Sequence, residues 1–152
     1  MFIRATHNEQ TVRMAVCVFC GVVDGSVPAS VVWRDVAAVA LLDRSPVFKG
    51  HVLVVPTAHV VTLPDLPAGG LEPFFSAVQR VAAVMPDALD VHGTFVAMNN
   101  IVSQSVPHLH AHVVPRRRKD GLRGFFWPRE KYADDAEMES YAARLRAALA
   151  DG

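Results

Sequence analysis

The chain has no charge imbalance and no apolar run of membrane length, and each absence excludes a class of function. Its 15 basic and 15 acidic residues cancel, so no overall field attracts nucleic acid or an anionic membrane. Apolar stretches such as residues 36–42 are too short to cross a bilayer, and the first residues have no apolar core of signal-peptide length. We therefore expect a cytoplasmic protein that binds no membrane and has no general affinity for nucleic acid.

Cysteine is also nearly absent. The two cysteines, Cys17 and Cys20, cannot form the disulfide framework of a small secreted domain. Their spacing is nevertheless typical of metal sites and of redox dithiols. Together with His59 and His108 they would complete a Cys2His2 site for a structural zinc ion. A redox dithiol and two unreactive buried thiols are the alternatives.

The apolar content is sufficient for one domain with its own core. The chain has 152 residues, of which 51% are hydrophobic, and a chain of this length can bury a sizeable apolar interior. Residues 1–15 are polar and unpatterned. We expect them to form a flexible N-terminal tail, followed by a single domain over residues 16–152.

The spacing of apolar residues predicts the fold class. The segment from Cys17 has the residues of a short strand or a helical turn. Apolar residues recur at helical spacing from Leu71 to Met85, where Pro86 should end the helix, and again after Asp134. Because short connections favour antiparallel pairing, we predict an α+β fold with a mostly antiparallel sheet of about five strands and two helices. Strands are predicted at residues 31–33, 36–42, 51–56, 93–98 and 106–114.

Three histidines alternate with apolar residues in the last of these strands. In an extended strand His108, His110 and His112 share one face, and the residues between them share the other. Imidazole titrates near neutrality and can act as nucleophile, acid, base or metal ligand. The outer pair lie about 13 Å apart at Cα, too far for all three to bind one zinc ion at about 2 Å. We therefore expect different roles, with the central His110 best placed to act on a substrate.

This run resembles the signature of the histidine triad (HIT) family, in which His-x-His-x-His is followed by two apolar residues. Here it reads His108-Leu109-His110-Ala111-His112-Val113-Val114. Asp43-Arg44-Ser45-Pro46, then Gly50-His51 with the following strand and His59, and finally Gln104-Ser105-Val106 are similar to further family motifs. The resemblance implies a five-stranded antiparallel sheet with two helices, usually in a homodimer.

The chemistry that the resemblance implies is nucleotide hydrolysis or transfer at an α-phosphate. The substrate would be a nucleoside phosphoramidate, a dinucleoside polyphosphate or a related conjugate. His110 would be the nucleophile that forms a nucleotidyl-histidine intermediate, and His112 would assist at the leaving-group atom. His51 would lie near the phosphate. A neutral imidazole suits the nucleophile because it attacks phosphorus without first losing a proton.

The resemblance also implies binding residues. Asp43 would accept hydrogen bonds from the ribose hydroxyls, a role that suits an ionised carboxylate because it only accepts; a turn-forming role is the alternative. For the three apolar residues implied in the base pocket, which are named next, core packing is the alternative role. The implied base-pocket residues are Phe19, Val22 and Leu41, the remaining nucleotide-binding residues are Arg44, Asn99, Gln104 and Ser105, and the ligands of a structural Zn²⁺ are Cys17, Cys20, His59 and His108.

One loop departs from the family pattern, and two other functions stay open. Residues 99–104 form a segment two residues shorter than the usual one and lack its two glycines, so the phosphate loop must differ. The first alternative function is a nucleotide-binding or scaffolding protein with negligible turnover. The second is a metal-dependent hydrolase that uses the triad as ligands.

Overall fold

The computed structural model describes residues 17–123 and 129–150. These residues belong to two compact units, one that ends at Asp120 and one that begins at Gly121. The tail expected at residues 1–15 lies outside the described residues, and the single domain expected over residues 16–152 stays a prediction. Within the described ranges, none of the helices has the length and hydropathy of a membrane span.

The first unit is built on a five-stranded antiparallel sheet in the order β1-β2-β3-β5-β4. The second unit contains the helix α3. The predicted α+β fold is confirmed, but the described residues form three helices rather than two, because the segment after Cys17 is helical. The elements are α1 (Val18–Asp24), β1 (Val31–Arg34), β2 (Ala38–Leu42), β3 (Val52–Pro56), a 3-10 turn (Leu63–Asp65), α2 (Ala68–Leu89), β4 (Gly93–Ala97), β5 (Ala111–Arg116) and α3 (Asp135–Ala150).

Both faces of the sheet are covered, each by a different helix. Side chains alternate along β2 and β3, so that Ala40 and Val54 pack with the residues of α2. Their neighbours Leu41 and Val55 pack with the residues of α1 on the opposite face. A strand buried on both faces is apolar throughout, as the run Val52–Pro56 is.

The helix α2 is longer than the sequence predicts. It begins at Ala68 and continues past Pro86 to Leu89. Proline removes one helical hydrogen bond, but Met85 before it and Val91 after the helix are both buried in the same core cluster. This packing keeps the chain helical for one further turn.

The histidine segment is only partly a strand. β5 begins at Ala111, so His108 and His110 precede it, contrary to the predicted strand over residues 106–114. One reason is that Pro56 on the neighbouring strand has no N–H to donate to the ladder. The Leu109 N–H donates instead to the carbonyl of Val60 at 2.7 Å. The alternation of side chains nevertheless persists, because Leu109 and Ala111 pack in the α2 cluster.

Candidate functional site

A cleft of about 680 Å³ opens on the α1 face of the sheet, a volume typical of small-molecule sites. One part of its wall is apolar, and the other carries hydroxyl, carboxylate, guanidinium and imidazole groups. The apolar lining residues are Val18, Phe19, Val22, Val27, Pro28, Ala29, Leu41, Leu42, Leu53 and Val106, and the polar ones are Ser30, Asp43, Arg44, Ser105, His110 and His112.

The helix α1 forms one wall of this cleft and is fixed at both ends. At its start, the Cys17 side chain accepts from the Cys20 N–H. At its end, Gly25 adopts a left-handed conformation with φ 85°, which glycine does without strain. The Arg34 guanidinium donates to the carbonyl of Val22 at 3.3 Å and so caps the last turn.

Two thiols and two imidazoles from separate parts of the chain meet beneath α1. The ligand atoms of Cys17, Cys20, His59 and His108 all lie within 4.8 Å of one another. Cys20 Sγ lies 3.1 Å from His59 Nδ1 and 3.6 Å from His108 Nδ1, and Cys17 Sγ lies 3.5 Å from the same atom of His108. Tetrahedral zinc, with bonds of about 2.0–2.3 Å, holds its ligand atoms about 3.3–3.8 Å apart. The predicted residues therefore fit a zinc ion.

The protonation of this cluster also suits a metal. His108 Nε2 lies 2.9 Å from the carbonyl of Pro56, to which it donates, so Nδ1 carries the lone pair that faces the thiols. Burial is the main cause that lowers the pKa of His108 to about 4, and the ring is neutral. Burial, followed by the hydrogen bond and charge of Cys17, raises the pKa of Cys20 to about 11. A divalent cation would reverse that shift and stabilise the thiolate.

The central histidine is held by its own backbone rather than by this cluster. His110 is 3% exposed, and its Nδ1 lies 2.7 Å from the carbonyl of His108. A carbonyl only accepts, so Nδ1 carries the proton, and in the neutral ring the lone pair lies on Nε2. Because the ring lines the cleft, this lone pair is available to attack a bound electrophile.

His112, the last histidine of the triad, is the opposite tautomer to His110, as its contact with His51 shows. The Val47 N–H donates to Nδ1 of His51 at 3.2 Å, which places the proton of a neutral His51 on Nε2. That Nε2 lies 3.0 Å from His112 Nδ1, which must accept. The proton of His112 is therefore on Nε2, the nitrogen left to meet a ligand in the cleft. The two rings that line the cleft therefore differ, because His110 has a lone pair on Nε2 and His112 has a proton on Nε2.

Asp43 lies at the same end of the cleft. Its Oδ1 accepts from the Ser45 N–H at 2.8 Å, and its Oδ2 lies 3.6 Å from His51 Nδ1. Burial lowers the pKa of His51, while the Asp43 charge opposes the shift. Burial, followed by the charges of His110 and His51, lowers the pKa of His112 to about 4. Both imidazoles are thus neutral near pH 7.

The loop before the triad uses its polar side chains to hold itself together. Gln104 Oε1 accepts from the Ile101 N–H at 2.9 Å, and Gln104 Nε2 donates to the Val61 carbonyl at 2.6 Å. Ile101 and Ser103 adopt φ angles of 70° and 60°, a conformation that is strained for a β-branched residue. Of the predicted nucleotide-binding residues, Gln104 and Asn99 lie outside the lining of the cleft.

Sequence reasoning missed part of the apolar wall. Val27, Pro28 and Ala29 follow α1 and line the cleft, whereas the sequence marks them only as a loop. Proline among small apolar residues was the one signal available. The site residues that the sequence did predict and that line the cleft are Phe19, Val22, Leu41, Asp43, Arg44, Ser105, His110 and His112.

The comparison with known families agrees with this geometry. Residues 24–119 match the model of the HIT domain. The chain belongs to the HIT domain family. This confirms the resemblance seen in the sequence, whose triad places His110 and His112 at the cleft and His108 in the cluster with the two thiols.

Relatives of this HIT protein include enzymes and a zinc-containing structure. Protein hit of Bacillus subtilis is 34% identical over 125 residues, 81% of this chain and 85% of that protein. Adenosine 5'-monophosphoramidase HNT1 of Saccharomyces cerevisiae is 31% identical over 109 residues, 71% of this chain and 68% of the yeast protein. A crystal structure of a Zn-bound histidine triad family protein from Mycobacterium smegmatis has 32% identity and a TM-score of 0.69, covering 89% of this chain and 99% of that one.

The four-ligand cluster predicts that His59→Gln lowers both metal content and stability. Removing one ligand of a structural zinc weakens binding and with it the free energy of unfolding. Metal analysis of protein purified without added metal should find about one zinc per wild-type chain and clearly less in the variant, whose melting temperature falls. His92→Gln is the control, because His92 is an exposed histidine outside the cluster. A His59→Gln variant that keeps its zinc contradicts the assignment.

The low pKa of His112 predicts a loss of stability in acid. In the unfolded chain His112 becomes protonated as the pH falls below its ordinary pKa of 6.5. In the folded chain it stays neutral until about pH 4, because its pKa is lowered to that value. The contribution of a neutral His112 is therefore complete above pH 6.5 and falls as the pH drops towards 4. Urea unfolding of wild type and His112→Asn over this range should show the wild-type free energy of unfolding falling more steeply. Parallel curves would refute the shift.

Proposed function

We propose that this HIT protein is a nucleotide hydrolase or transferase acting at the α-phosphate of nucleoside phosphoramidates or dinucleoside polyphosphates. The observation that carries the proposal is the opposite tautomers of two neighbouring imidazoles in one cleft. His110 offers a lone pair on Nε2, and His112 offers a proton on Nε2. Their ring centroids are 5.0 Å apart, so both can reach one phosphorus centre and its leaving atom. The relation to a phosphoramidase supports the same chemistry.

In the first step His110 Nε2 forms a bond to the α-phosphorus as the bond to the leaving nitrogen or oxygen breaks. The positive charge that develops on the imidazole is stabilised by the hydrogen bond from Nδ1 to the His108 carbonyl. The departing atom needs a proton. A bound phosphate anion raises the pKa of His112 against the effect of burial, so a proton taken up with the substrate passes through His112 to that atom.

The second step returns His110 to its starting form. Water, or another acceptor, attacks the phosphorus of the nucleotidyl-histidine and gives its proton to His112, while the bond to His110 Nε2 breaks. Dividing one difficult displacement into two easier ones is the advantage of a covalent intermediate. His51 acts in both steps through its hydrogen bond with His112 Nδ1. When His112 gives its Nε2 proton to the leaving atom it keeps a proton on Nδ1, which His51 Nε2 accepts while the His51 proton lies on Nδ1 beside Asp43 Oδ2. His112 Nε2 is then free to take the proton of the attacking water.

The remaining residues bind and orient the nucleotide. We assign Asp43 to the ribose hydroxyls and the apolar wall, with Phe19, Val22 and Leu41, to the base. Arg44 and Ser105 line the polar end and suit the phosphates. Gln104 contributes through the conformation of the loop. The zinc cluster would supply a structural cross-link that fixes α1 against the histidine segment.

Leaving-group dependence tests these roles. On a nucleoside phosphoramidate with an alkylamine leaving group, His112→Asn should lose about 10²- to 10⁴-fold in kcat/KM, which reports the step in which the leaving group departs; this is the usual contribution of a general acid. On a 4-nitrophenyl nucleotide ester the loss should be much smaller, because that group departs without a proton. His110→Ala should abolish turnover of both substrates. Equal losses for His112→Asn on the two substrates would contradict its assignment as the acid.

The same assay separates the alternative functions. Nucleotide binding without turnover by the wild type would select a binding or scaffolding protein. Activity lost on chelation while the fold persists would select a metal-dependent hydrolase. A metal held by all three triad histidines has little geometric support. Among the described residues, His108 groups with the two cysteines and His59, His112 groups with Asp43 and His51, and His110 belongs to neither group.

We also propose that the protein is a cytoplasmic homodimer. Leu71 and Phe75 on α2 and Val96 on the edge strand β4 are about 40% exposed, and apolar side chains of this size on one face suit an interface. The mass of one chain is 16.5 kDa, and light scattering should give twice this value. Phe75→Glu should yield monomers, whereas Val84→Glu, at an exposed position of the same helix outside this patch, should not. A monomeric wild type would refute the dimer.

A further inference from the structure

Phe19 occupies a position that a base pocket alone does not explain. It lies between Cys17 and Cys20 in the sequence and is 6% exposed. Its ring lies 5.2 Å from the His110 ring, at an interplanar angle of 63°. It also lies 5.9 Å from the His108 ring at 89°. Both are edge-to-face contacts within the favourable range for aromatic pairs.

Three contacts hold the nucleophile. The carbonyl of His108 accepts from Nδ1 of His110 and fixes the tautomer, but a single hydrogen bond at one edge does not fix the plane of the ring. The rings of Phe19 and His112 both contact the His110 ring at steep interplanar angles, 63° and 66°, with centroids 5.2 Å and 5.0 Å away. Attack on phosphorus requires the lone pair to point along the line of displacement, so the orientation of this plane affects the rate.

We propose that Phe19 is a positioning residue for the nucleophile, in addition to any contact with the base. Its ring, carried on α1 between the two cysteines, holds the imidazole of His110 with Nε2 facing the cleft. This inference rests on the proposed function, since it assigns His110 as the attacking group. It also makes the cluster of Cys17, Cys20, His59 and His108 the support of the catalytic geometry, because Cys17 caps the short helix that carries Cys20 and this ring.

Kinetics of Phe19→Leu test the assignment. Misorientation of a reacting group costs about 10²-fold, so we expect kcat on a nucleoside phosphoramidate to fall by about one to two orders of magnitude while KM changes little. Val22→Ala is the matched variant, because Val22 is buried on the same helix and lines the same cleft with no ring contact to His110. It should raise KM instead. A rise in KM with unaltered kcat for Phe19→Leu would overturn the proposal.

A second measurement does not depend on turnover. Long-range proton–nitrogen NMR spectra of the wild type should show one tautomer of His110 with the proton on Nδ1, together with nuclear Overhauser contacts between the Phe19 and His110 rings. In Phe19→Leu the His110 signals should broaden or double while the zinc content is retained. An unperturbed His110 in that variant, or no ring contact in the wild type, would refute the positioning role even if no substrate were turned over. If Phe19→Leu does not fold, the wild-type spectrum decides.

Discussion

The apolar residues between the triad histidines fix the geometry of the site. Leu109, Ala111 and Val113 are fully buried at 0% exposure in the cluster beneath α2. Because side chains alternate along an extended segment, their burial directs all three histidines to the α1 face. A slip of one residue would exchange the two sets. Burying a Leu or Val side chain contributes about 1.5–3 kcal/mol, whereas a typical hydrogen bond contributes about 0.5–1.5 kcal/mol, so packing sets the register and the imidazoles follow.

Three identical side chains on one face then acquire different chemistry from their neighbours. His108 meets thiols and the carbonyl of Pro56, His110 meets a carbonyl of its own segment, and His112 meets another imidazole. Each neighbour decides which ring nitrogen carries a proton. The roles that we propose, a metal ligand, a nucleophile and a proton donor, would therefore arise from one repeated residue, and exchanging two of the histidines along the segment would not preserve them.

The sequence predicts the parts of this site that depend on local spacing. The alternation of the histidines, the spacing of Cys17 and Cys20 and the approximate strand segments all follow from spacing and period, and the fold class is confirmed. Spacing does not reveal the contact between His51 and His112, which lie far apart in the chain and meet through the pairing of Leu53 with His112 across β3 and β5. Nor does it reveal that Gln104 is used within its own loop, because that depends on the carbonyl of Val61 across the fold. The end of α2 was misplaced since the burial of Met85 outweighs the local effect of the proline.

The central claim is that His110 alone becomes covalently linked to the nucleotide. A single-turnover reaction with a radiolabelled nucleoside phosphoramidate, stopped in alkali and followed by peptide mass spectrometry, locates the label directly. The account predicts a nucleotidyl group on His110 that forms before the mononucleotide is released. A label on His112 or any other residue, or release of product in the first turnover with no protein-bound nucleotide, would contradict it.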